Sequence, residues 1–445
     1  MTTVDAGSPR TRRTRARPEG AARIPARIPA PAVQSAPDPI RPAMREPQFV
    51  CYLVGQSVSQ LGNMVWYVTL SWSAIQLGSA GLAGVLMVLS SLPTIAFTLL
   101  GGVIVDRHDV RRLMLGSDLL RTLVTLGAAG IALLHPGIAL LAVLSLVFGT
   151  VNAVFQPAAG AMQPRLLRPE QYTGAATLST VTGRLALSLG GPLGGLAVAY
   201  GGLPLGLLVD AATFAVSVAT LYFVRPRPLP DQTTSAATPT GRTGYLGEFR
   251  AGFSFLVRHP VLGPLSATTL LMELGFIGPM NVGLAILSKQ HGWGAHGIGL
   301  MISGFGLGAV AGAMLTNRLR IRRHLGVWIA GSAALLGACL FGDALATGLP
   351  AAVASAALVG VFGGPSNILG TVLVQTETPD TLRGRVNSFQ TLLSLGTAPL
   401  AMLGTGFAAT AFGIRDTYAG CALIEALALA TLLSPAFRRA RISEG

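Results

Sequence analysis

The chain has 445 residues, of which 51% are hydrophobic and 11% are charged. A typical soluble domain carries about 25% charged residues, so this composition excludes a soluble globular enzyme, and the apolar content excludes disorder over most of the chain. The net charge of +14 does not indicate a nucleic-acid-binding protein, because the basic residues lie in the N-terminal region and in short gaps between apolar stretches. Long uncharged apolar stretches with abundant glycine are typical of an all-α integral membrane protein.

Residues 1–47 form a separate region that is rich in Arg, Pro and Ala, with nine of the 32 basic residues in the first 45 positions. Because large apolar side chains are almost missing, this region cannot bury a core, and we expect a disordered cytoplasmic tail. A twin-arginine export signal at Arg12–Arg13 is the alternative. It is disfavoured because the first apolar stretch begins only near Phe49 and is too long for a cleaved signal.

Twelve apolar segments follow, each long enough to cross a hydrocarbon core of roughly 30 Å. A polar stretch divides them into two groups of six. This predicts an N-terminal six-helix bundle over 48–224, a cytoplasmic linker over 225–259, a C-terminal bundle over 260–437 and a short cytoplasmic tail over 438–445. The predicted spans are 49–78, 80–105, 113–134, 138–162, 173–200, 203–224, 261–288, 297–317, 326–347, 350–374, 386–412 and 416–437.

The distribution of basic residues predicts the orientation. The tails and the even-numbered gaps between spans carry 28 of the 32 Lys and Arg residues. The positive-inside rule therefore places both termini and the linker in the cytoplasm, as in a multi-pass protein of a bacterial inner membrane. The outer gaps are too short to hold an extracellular domain.

The two halves repeat each other. The stretch GGVIVDRHDVRR (101–112) corresponds to GAMLTNRLRIRR (312–323) at a shift of 211, and RPEQYTGAA (168–176) corresponds to TPDTLRGRV (378–386) at a shift of 210. Two separate matches at almost the same shift indicate that the two halves form similar bundles. They predict a pseudo-two-fold axis along the membrane normal with a cavity between the bundles.

The loop after the second span resembles the signature of the major facilitator superfamily, Gly-x-x-x-Asp-Arg-x-Gly followed by a basic pair. The matching residues are Gly102, Asp106, Arg107, Arg111 and Arg112, with Asp109 where the second Gly usually lies. The stretches 53–63, 117–122 and 374–388 are similar to the drug and siderophore exporter branch. The resemblance implies twelve transmembrane helices in two pseudo-symmetric six-helix bundles, with no cofactor and no enzymatic activity.

The resemblance also implies that this loop is a conformational latch, in which Asp106 meets the surrounding guanidiniums through charge-assisted hydrogen bonds. The alternative is a charge cluster that only fixes topology. Asp118 and Arg121 lie three residues apart on one helix face. We expect them to pair with each other or with the Asp106 loop, either as structural support or with a direct role in transport.

Span 1 carries a polar stripe at helical spacing, formed by Gln56, Gln60, Asn63 and Tyr67. Unpaired amides are costly in lipid, so the stripe is predicted to line a substrate cavity or to bond to another helix. In span 5, Gly191 and Pro192 predict a helix bend or close packing.

Acidic residues at membrane depth are candidates for proton coupling because their insertion is costly. Glu273 is the first choice, Asp210 and Glu425 are alternatives, and Arg184 is a candidate counter-charge. A structural Glu273 that is permanently protonated or hydrogen-bonded is the other interpretation.

Motifs for nucleotide binding, zinc binding and nucleophilic catalysis are missing from the sequence, and the three Cys residues fall in apolar stretches. We therefore predict no metal and no cofactor. The predicted partners are a small-molecule substrate, protons and the lipid bilayer, and the predicted oligomeric state is a monomer. The predicted function is proton-coupled export of an amphiphilic antibiotic, siderophore or secondary metabolite. A nutrient importer of the same fold and a non-transporting membrane sensor or scaffold are the alternatives.

Overall fold

All regular elements in the described part of the chain are helices. The computed structural model describes residues 42–227, 253–319, 321–379 and 382–441. The predicted N-terminal tail up to residue 41, most of the linker (228–252) and residues 442–445 lie outside the described residues. The all-helical prediction is confirmed, and the predicted spans agree with the helices to within several residues at each end.

The first half contains six long helices. Four of them are α1 (Pro47–Leu77), α2 (Ala80–Arg107), α3 (Val110–Leu134) and α4 (Ile138–Leu166). The next helix runs without a loop from Tyr172 to Phe223, but Gly202 inside it has φ 62° and ψ −156°. Only glycine adopts this backbone region readily, so the chain turns there and forms two spans, α5 (172–201) and α6 (203–223).

The second half contains α7 (Leu262–Gln290), α8 (Gly294–Leu319), α9 (Leu325–Leu345), α10 (Leu349–Glu377), α11 (Arg383–Phe412) and α12 (Ile414–Leu433). Helix α7 includes a π turn at Pro279–Gly283, and α12 ends in a 3₁₀ segment, Leu427–Leu433. Shorter helical turns lie at Ala43–Arg45, Pro169–Gln171, 253–258 and Pro435–Arg438.

Ten stretches of the described residues are long and apolar enough to cross a membrane. One of them, Gly174–Phe223, divides at Gly202 into two spans, and α1 is 31 residues long but more polar because of its stripe of amides. The division of Gly174–Phe223 adds one span and α1 adds another, so the ten stretches correspond to the twelve predicted spans. Many large apolar side chains remain exposed, such as Leu133 at 71% and Leu134 at 76%. Such a surface is suited to lipid rather than to water.

The helices pack mainly within each half. Among the described residues, the larger contacts between the halves are those of α5 with α8 and of α2 with α11, and smaller ones join α1 to α7 and α8 and α2 to the π turn of α7. The α5–α8 contact is close, since a Cβ on Gly299 would lie 2.4 Å from the carbonyl oxygen of Gly191. In the α2–α11 contact, a Cβ on Gly84 would lie 2.9 Å from the carbonyl oxygen of Met402.

These contacts share one side of the helical layer. Consecutive spans run in opposite directions, so the end of α1 and the start of α2 lie on the same side as the end of α5, the start of α8 and the end of α11. We call this the 77–80 side. Gly84, Gly191, Gly299 and Met402 all lie in the part of their helices that is nearer to the 77–80 side.

Candidate functional site

A cavity of about 700 Å³ lies among the helices of the first half. Its volume is in the range of pockets that hold drug-sized ligands, roughly 300–1,000 Å³. Helices α1 to α5 all contribute to its wall. The lining combines amides and hydroxyls with aromatic and apolar side chains and two arginines: Gln60, Asn63, Met64, Trp66, Tyr67, Leu70, Met87, Ser90, Arg121, Phe148, Gly149, Asn152, Gln156, Ser179, Thr180, Gly183, Arg184 and Leu187.

Most of the polar stripe of α1 faces this cavity. Gln60, Asn63 and Tyr67 belong to its wall, whereas Gln56 does not. The Oε1 atom of Gln56 is buried and has no hydrogen-bond partner among the described residues. The helical spacing recognised in the sequence thus brings three of the four side chains to one cavity.

Tyr67 also reaches the second half. Its hydroxyl lies 3.0 Å from the carbonyl oxygen of Met280 and 2.8 Å from that of Asn281, and it donates to this pair. Both carbonyls belong to the π turn of α7, where the usual i→i−4 hydrogen-bond pattern is interrupted. Tyr418 of α12 donates to Pro279 in the same turn at 3.1 Å. The π turn is therefore held from both halves of the protein.

A buried charged cluster lies behind the cavity. Arg121 Nη1 is 3.5 Å from Asp118 Oδ1, and the two side chains are 1% and 0% exposed. Asp118 also accepts a hydrogen bond of 2.6 Å from Ser217 of α6. Arg121 interacts electrostatically with Asp210 of α6 as well, and neither carboxyl oxygen of Asp210 has a hydrogen-bond partner among the described residues. One carboxyl group is thus paired with the guanidinium of Arg121, and the second acts on it electrostatically from beyond ion-pair distance.

Three phenylalanine rings surround this guanidinium. The Cζ atom of Arg121 lies 4.9 Å from the ring centroid of Phe155, 5.2 Å from that of Phe214 and 6.0 Å from that of Phe148. Cations are attracted to aromatic faces at such distances. Asn152 accepts a further hydrogen bond from Nη2 at 3.4 Å. The sequence predicted the Asp118–Arg121 pair but not Asp210 or the rings, which come from other helices.

The predicted latch residues lie around the junction of α2 and α3. Gly102, Asp106 and Arg107 belong to the last turns of α2, and the contacts of their side chains are outside what the structure describes. Arg111 donates from Nε to the carbonyl of Leu221 at 3.2 Å and from Nη2 to that of Tyr222. It thereby caps the C-terminal end of α6, as basic side chains do at helix ends.

Asp109, which departs from the family pattern, has a local role. It is the N-cap of α3, and its carboxylate accepts from the backbone N–H of Arg112 at 2.8 Å. An N-cap carboxylate satisfies a free N–H group at the start of a helix. The Arg112 side chain itself is exposed.

The other predicted residues fall at separate places. Arg184 is exposed to the cavity, and no carboxyl group lies within ion-pair distance of it in the described part of the chain. The basic group that acts electrostatically on Asp210 is instead Arg121, although the two are not within ion-pair distance. Gly191 lies in the α5–α8 contact, and Pro192 lies next to it. The interruption of the helix occurs at Gly202 rather than at this pair.

The acids of the second half are in two environments. Glu273 is partly buried and accepts hydrogen bonds from Ser394 and Thr397 of α11. Glu425 and Asp343 are fully buried, and their carboxyl oxygens have no hydrogen-bond partner among the described residues. Asp343 was missed by the sequence analysis, although an acid within a predicted span was the available signal.

Lys289 was also missed as a functional candidate. Its Nζ donates to the carbonyl of Ile75 in the last turns of α1. This contact joins α7 of the second half to α1 of the first. Its signal in the sequence is that Lys289 is the single lysine of the chain and lies in an outer gap otherwise free of basic residues.

The sequence of the chain matches a family model described as transmembrane secretion effector over residues 39–443. The multidrug efflux pump Tap of Mycobacterium tuberculosis is 26% identical over 419 residues, which are 90% of this chain and 96% of Tap. The enterobactin exporter EntS of Escherichia coli is 28% identical over 317 residues, which are 69% of this chain and 73% of EntS.

Among solved structures, the fold is similar to that of a bacterial homologue of the human lysosomal transporter Spinster, in an inward-facing and unoccupied conformation. The TM-score is 0.69 at 15% identity, and the match covers 90% of this chain and 100% of that one. At this identity the likeness concerns the fold alone.

Proposed function

Because the chain belongs to the transmembrane secretion effector family of major facilitator transporters, we propose that it exports an amphiphilic small molecule by alternating access, coupled to protons. The observation that carries the proposal is the cavity, in which amides and arginines face aromatic and apolar side chains. Such a mixed lining suits a substrate with one polar and one apolar part. Tap and EntS are both named as exporters, which favours export over uptake.

Alternating access is supported by where the halves touch. The contacts of Tyr67 with the π turn, of Lys289 with Ile75 and of Gly191 with Gly299 all lie toward the 77–80 side. The positive-inside distribution of the basic residues favours a cytoplasmic location for both termini, which makes the 77–80 side the outer one. The conformation is then closed to the outside, and substrate enters the cavity from the cytoplasm. The membrane is accordingly the bacterial inner membrane.

Proton coupling is supported by the charge balance of the buried cluster. With both Asp118 and Asp210 ionised, the single guanidinium of Arg121 leaves one negative charge without compensation, and a buried uncompensated charge is costly. One proton bound to either carboxyl group removes that cost. A change in access that brings water to the cluster releases the proton again. Glu273, Asp343 and Glu425 are alternative proton sites.

The test uses everted membrane vesicles from an efflux-deficient bacterium that expresses the protein. Respiration acidifies the vesicle interior, and quenching of an acridine dye reports the pH gradient. Tetracycline, rhodamine 6G and 8-anilino-1-naphthalenesulfonate are added in turn. At least one compound is expected to reduce the gradient with the wild type but not with Asp210→Asn. If Glu273→Gln or Glu425→Gln abolishes the response and Asp210→Asn does not, the proton site is in the second half. Compound uptake that is insensitive to the gradient would contradict proton antiport.

A further inference from the structure

Among the described residues that line the cavity, the charged groups are of one sign. They are two arginines, Arg121 and Arg184, with no aspartate or glutamate among them. Two acids of the first half, Asp118 and Asp210, are fully buried and interact with Arg121 rather than line the cavity. A ligand in the cavity therefore meets positive charge without a competing carboxylate of the lining.

The two arginines differ in whether the protein itself supplies partners for their charge. The guanidinium of Arg121 is 1% exposed, is paired with Asp118 and lies among three aromatic rings. The side chain of Arg184 is exposed, and in the described part of the chain it has neither an ion-pair partner nor a hydrogen-bond acceptor. Arg184 is residue 13 of the 30 in α5 (172–201), which places it near the middle of the span. A cation at this depth is costly unless it faces water or an anion.

We propose that Arg184 is the binding site for an anionic group of the substrate, so that the exported compound is an anionic amphiphile rather than a cationic drug. This inference rests on the proposed function. A guanidinium presents several N–H donors in a planar fork that matches carboxylate and sulfonate oxygens. A cationic ligand would instead be repelled by Arg184, whereas the charge of Arg121 is already offset by its carboxyl neighbours.

The surroundings of Arg184 supply the rest of such a site. Gln60 lies beside the neighbouring turn of α5, with Oε1 3.0 Å from the position that a Cβ would take on Gly183. Its amide can donate to the same anionic group as the guanidinium. The rings of Trp66 and Phe148, which also line the cavity, are stacked with centroids 4.7 Å apart. Both rings are buried, so they form a rigid backing, and the half-buried side chains of Met64 and Leu187 on the same wall supply the apolar surface for the substrate.

Two fluorescent probes test the charge preference, because they share one aromatic body and differ by a sulfonate. They are 8-anilino-1-naphthalenesulfonate and the neutral N-phenyl-1-naphthylamine. Dissociation constants are measured with the protein in nanodiscs, and the signal of empty nanodiscs is subtracted. We expect the wild type to bind the sulfonate about tenfold or more tightly than the neutral amine, as for a hydrogen bond to a charged group. Arg184→Gln should remove this preference and leave the affinity for the amine unchanged.

Two further variants serve as controls. Arg184→Lys keeps the charge and should keep part of the preference, and Arg415→Gln, which removes an exposed arginine at the start of α12, should keep all of it. Three results would overturn the proposal. They are equal affinities of the wild type for both probes, no binding of the sulfonate by the wild type, and an equal loss of affinity for both probes in Arg184→Gln. If Arg184→Gln does not fold, the affinities of the wild type and of Arg184→Lys for the two probes still test the proposal.

The outcome is separable from that of the proposed function, because binding in nanodiscs needs neither a gradient nor transport. Gradient-driven export of a neutral or cationic compound without a sulfonate preference would leave the function standing and refute the anion site. A sulfonate preference that depends on Arg184, without any gradient-driven transport, would support the anion site and refute the proposed function.

Discussion

Arg121 is held from several sides in the first half. It is buried, yet its charge faces two carboxyl groups, an amide and three aromatic rings. Such an arrangement is stable only as a whole, because each charge offsets the cost of burying another. The same property makes the cluster sensitive to any change in its net charge, as a proton-binding site requires.

At this scale we predict that Arg121→Gln destabilises the protein by about 3–5 kcal/mol, the usual cost of leaving a buried charge without its partner. The double variant Asp118→Asn/Arg121→Gln should recover much of that loss, because it removes a negative charge together with the positive one. Both changes in stability are measured by thermal unfolding of the purified protein, monitored as the loss of its monodisperse fraction. A single variant as stable as the wild type would show that Arg121 does not compensate the acids.

At the scale of helices, α8 and α10 form the closest contact of the second half. Gly304, Gly308 and Gly312 follow one another at a spacing of four and face the backbone of α10. A Cβ on Gly308 would lie 1.9 Å from the carbonyl oxygen of Ala357. Small residues at this spacing let membrane helices approach closely. The stripe is visible in the sequence, but a glycine-rich sequence offers many such spacings, and only the packing identifies the one in use.

We predict that Gly308→Ala lowers the free energy of unfolding by about 1–3 kcal/mol, as overpacking does when the obstructing atom is backbone. Gly130→Ala is the matched control. Gly130 lies in α3 with no atom within 4 Å of its hypothetical Cβ, so alanine there should be neutral or stabilising by up to about 1 kcal/mol. Comparison of the two thermal midpoints checks the prediction. Equal midpoints would contradict close packing of α8 on α10.

For the whole molecule, the decisive property is that the halves meet toward the 77–80 side. Transport by alternating access requires these contacts to separate and form again in each cycle. Helices α2 and α11 offer a suitable place to prevent separation. A Cβ on Gly81 would lie 3.8 Å from Thr410 Oγ1 and has no nearer neighbour than 3.5 Å.

We therefore predict that Gly81→Cys/Thr410→Cys forms a disulfide, because the Thr410 side chain reaches to within 4 Å of a Cβ at position 81 and the two thiols can meet after a small adjustment of the helices. The background is a variant in which the native Cys51, Cys339 and Cys421 are replaced. Oxidation should lower the transport rate at least tenfold while sulfonate binding persists. A reducing agent should restore transport. The two single-cysteine variants, oxidised in the same way, are the controls. Full transport by the cross-linked protein would refute movement at this contact.

The sequence by itself determined the helices, the family and three residues of the cavity wall. Hydropathy over some twenty residues is a local property, so the spans were predictable, and helical spacing was enough to group Gln60, Asn63 and Tyr67. The Asp118–Arg121 pair was predictable for the same reason, because both residues lie on one face of one helix.

Only the tertiary structure decided which residues from different helices meet. It placed Asp210 and the three phenylalanines near Arg121, left Arg184 facing the cavity without a partner among the described residues, and brought Lys289 to the end of α1. These contacts depend on how helices cross and rotate, which is fixed by packing between distant segments and leaves no local pattern in the chain. The same packing placed the contacts between the halves toward the 77–80 side, because such contacts depend on how two distant segments meet.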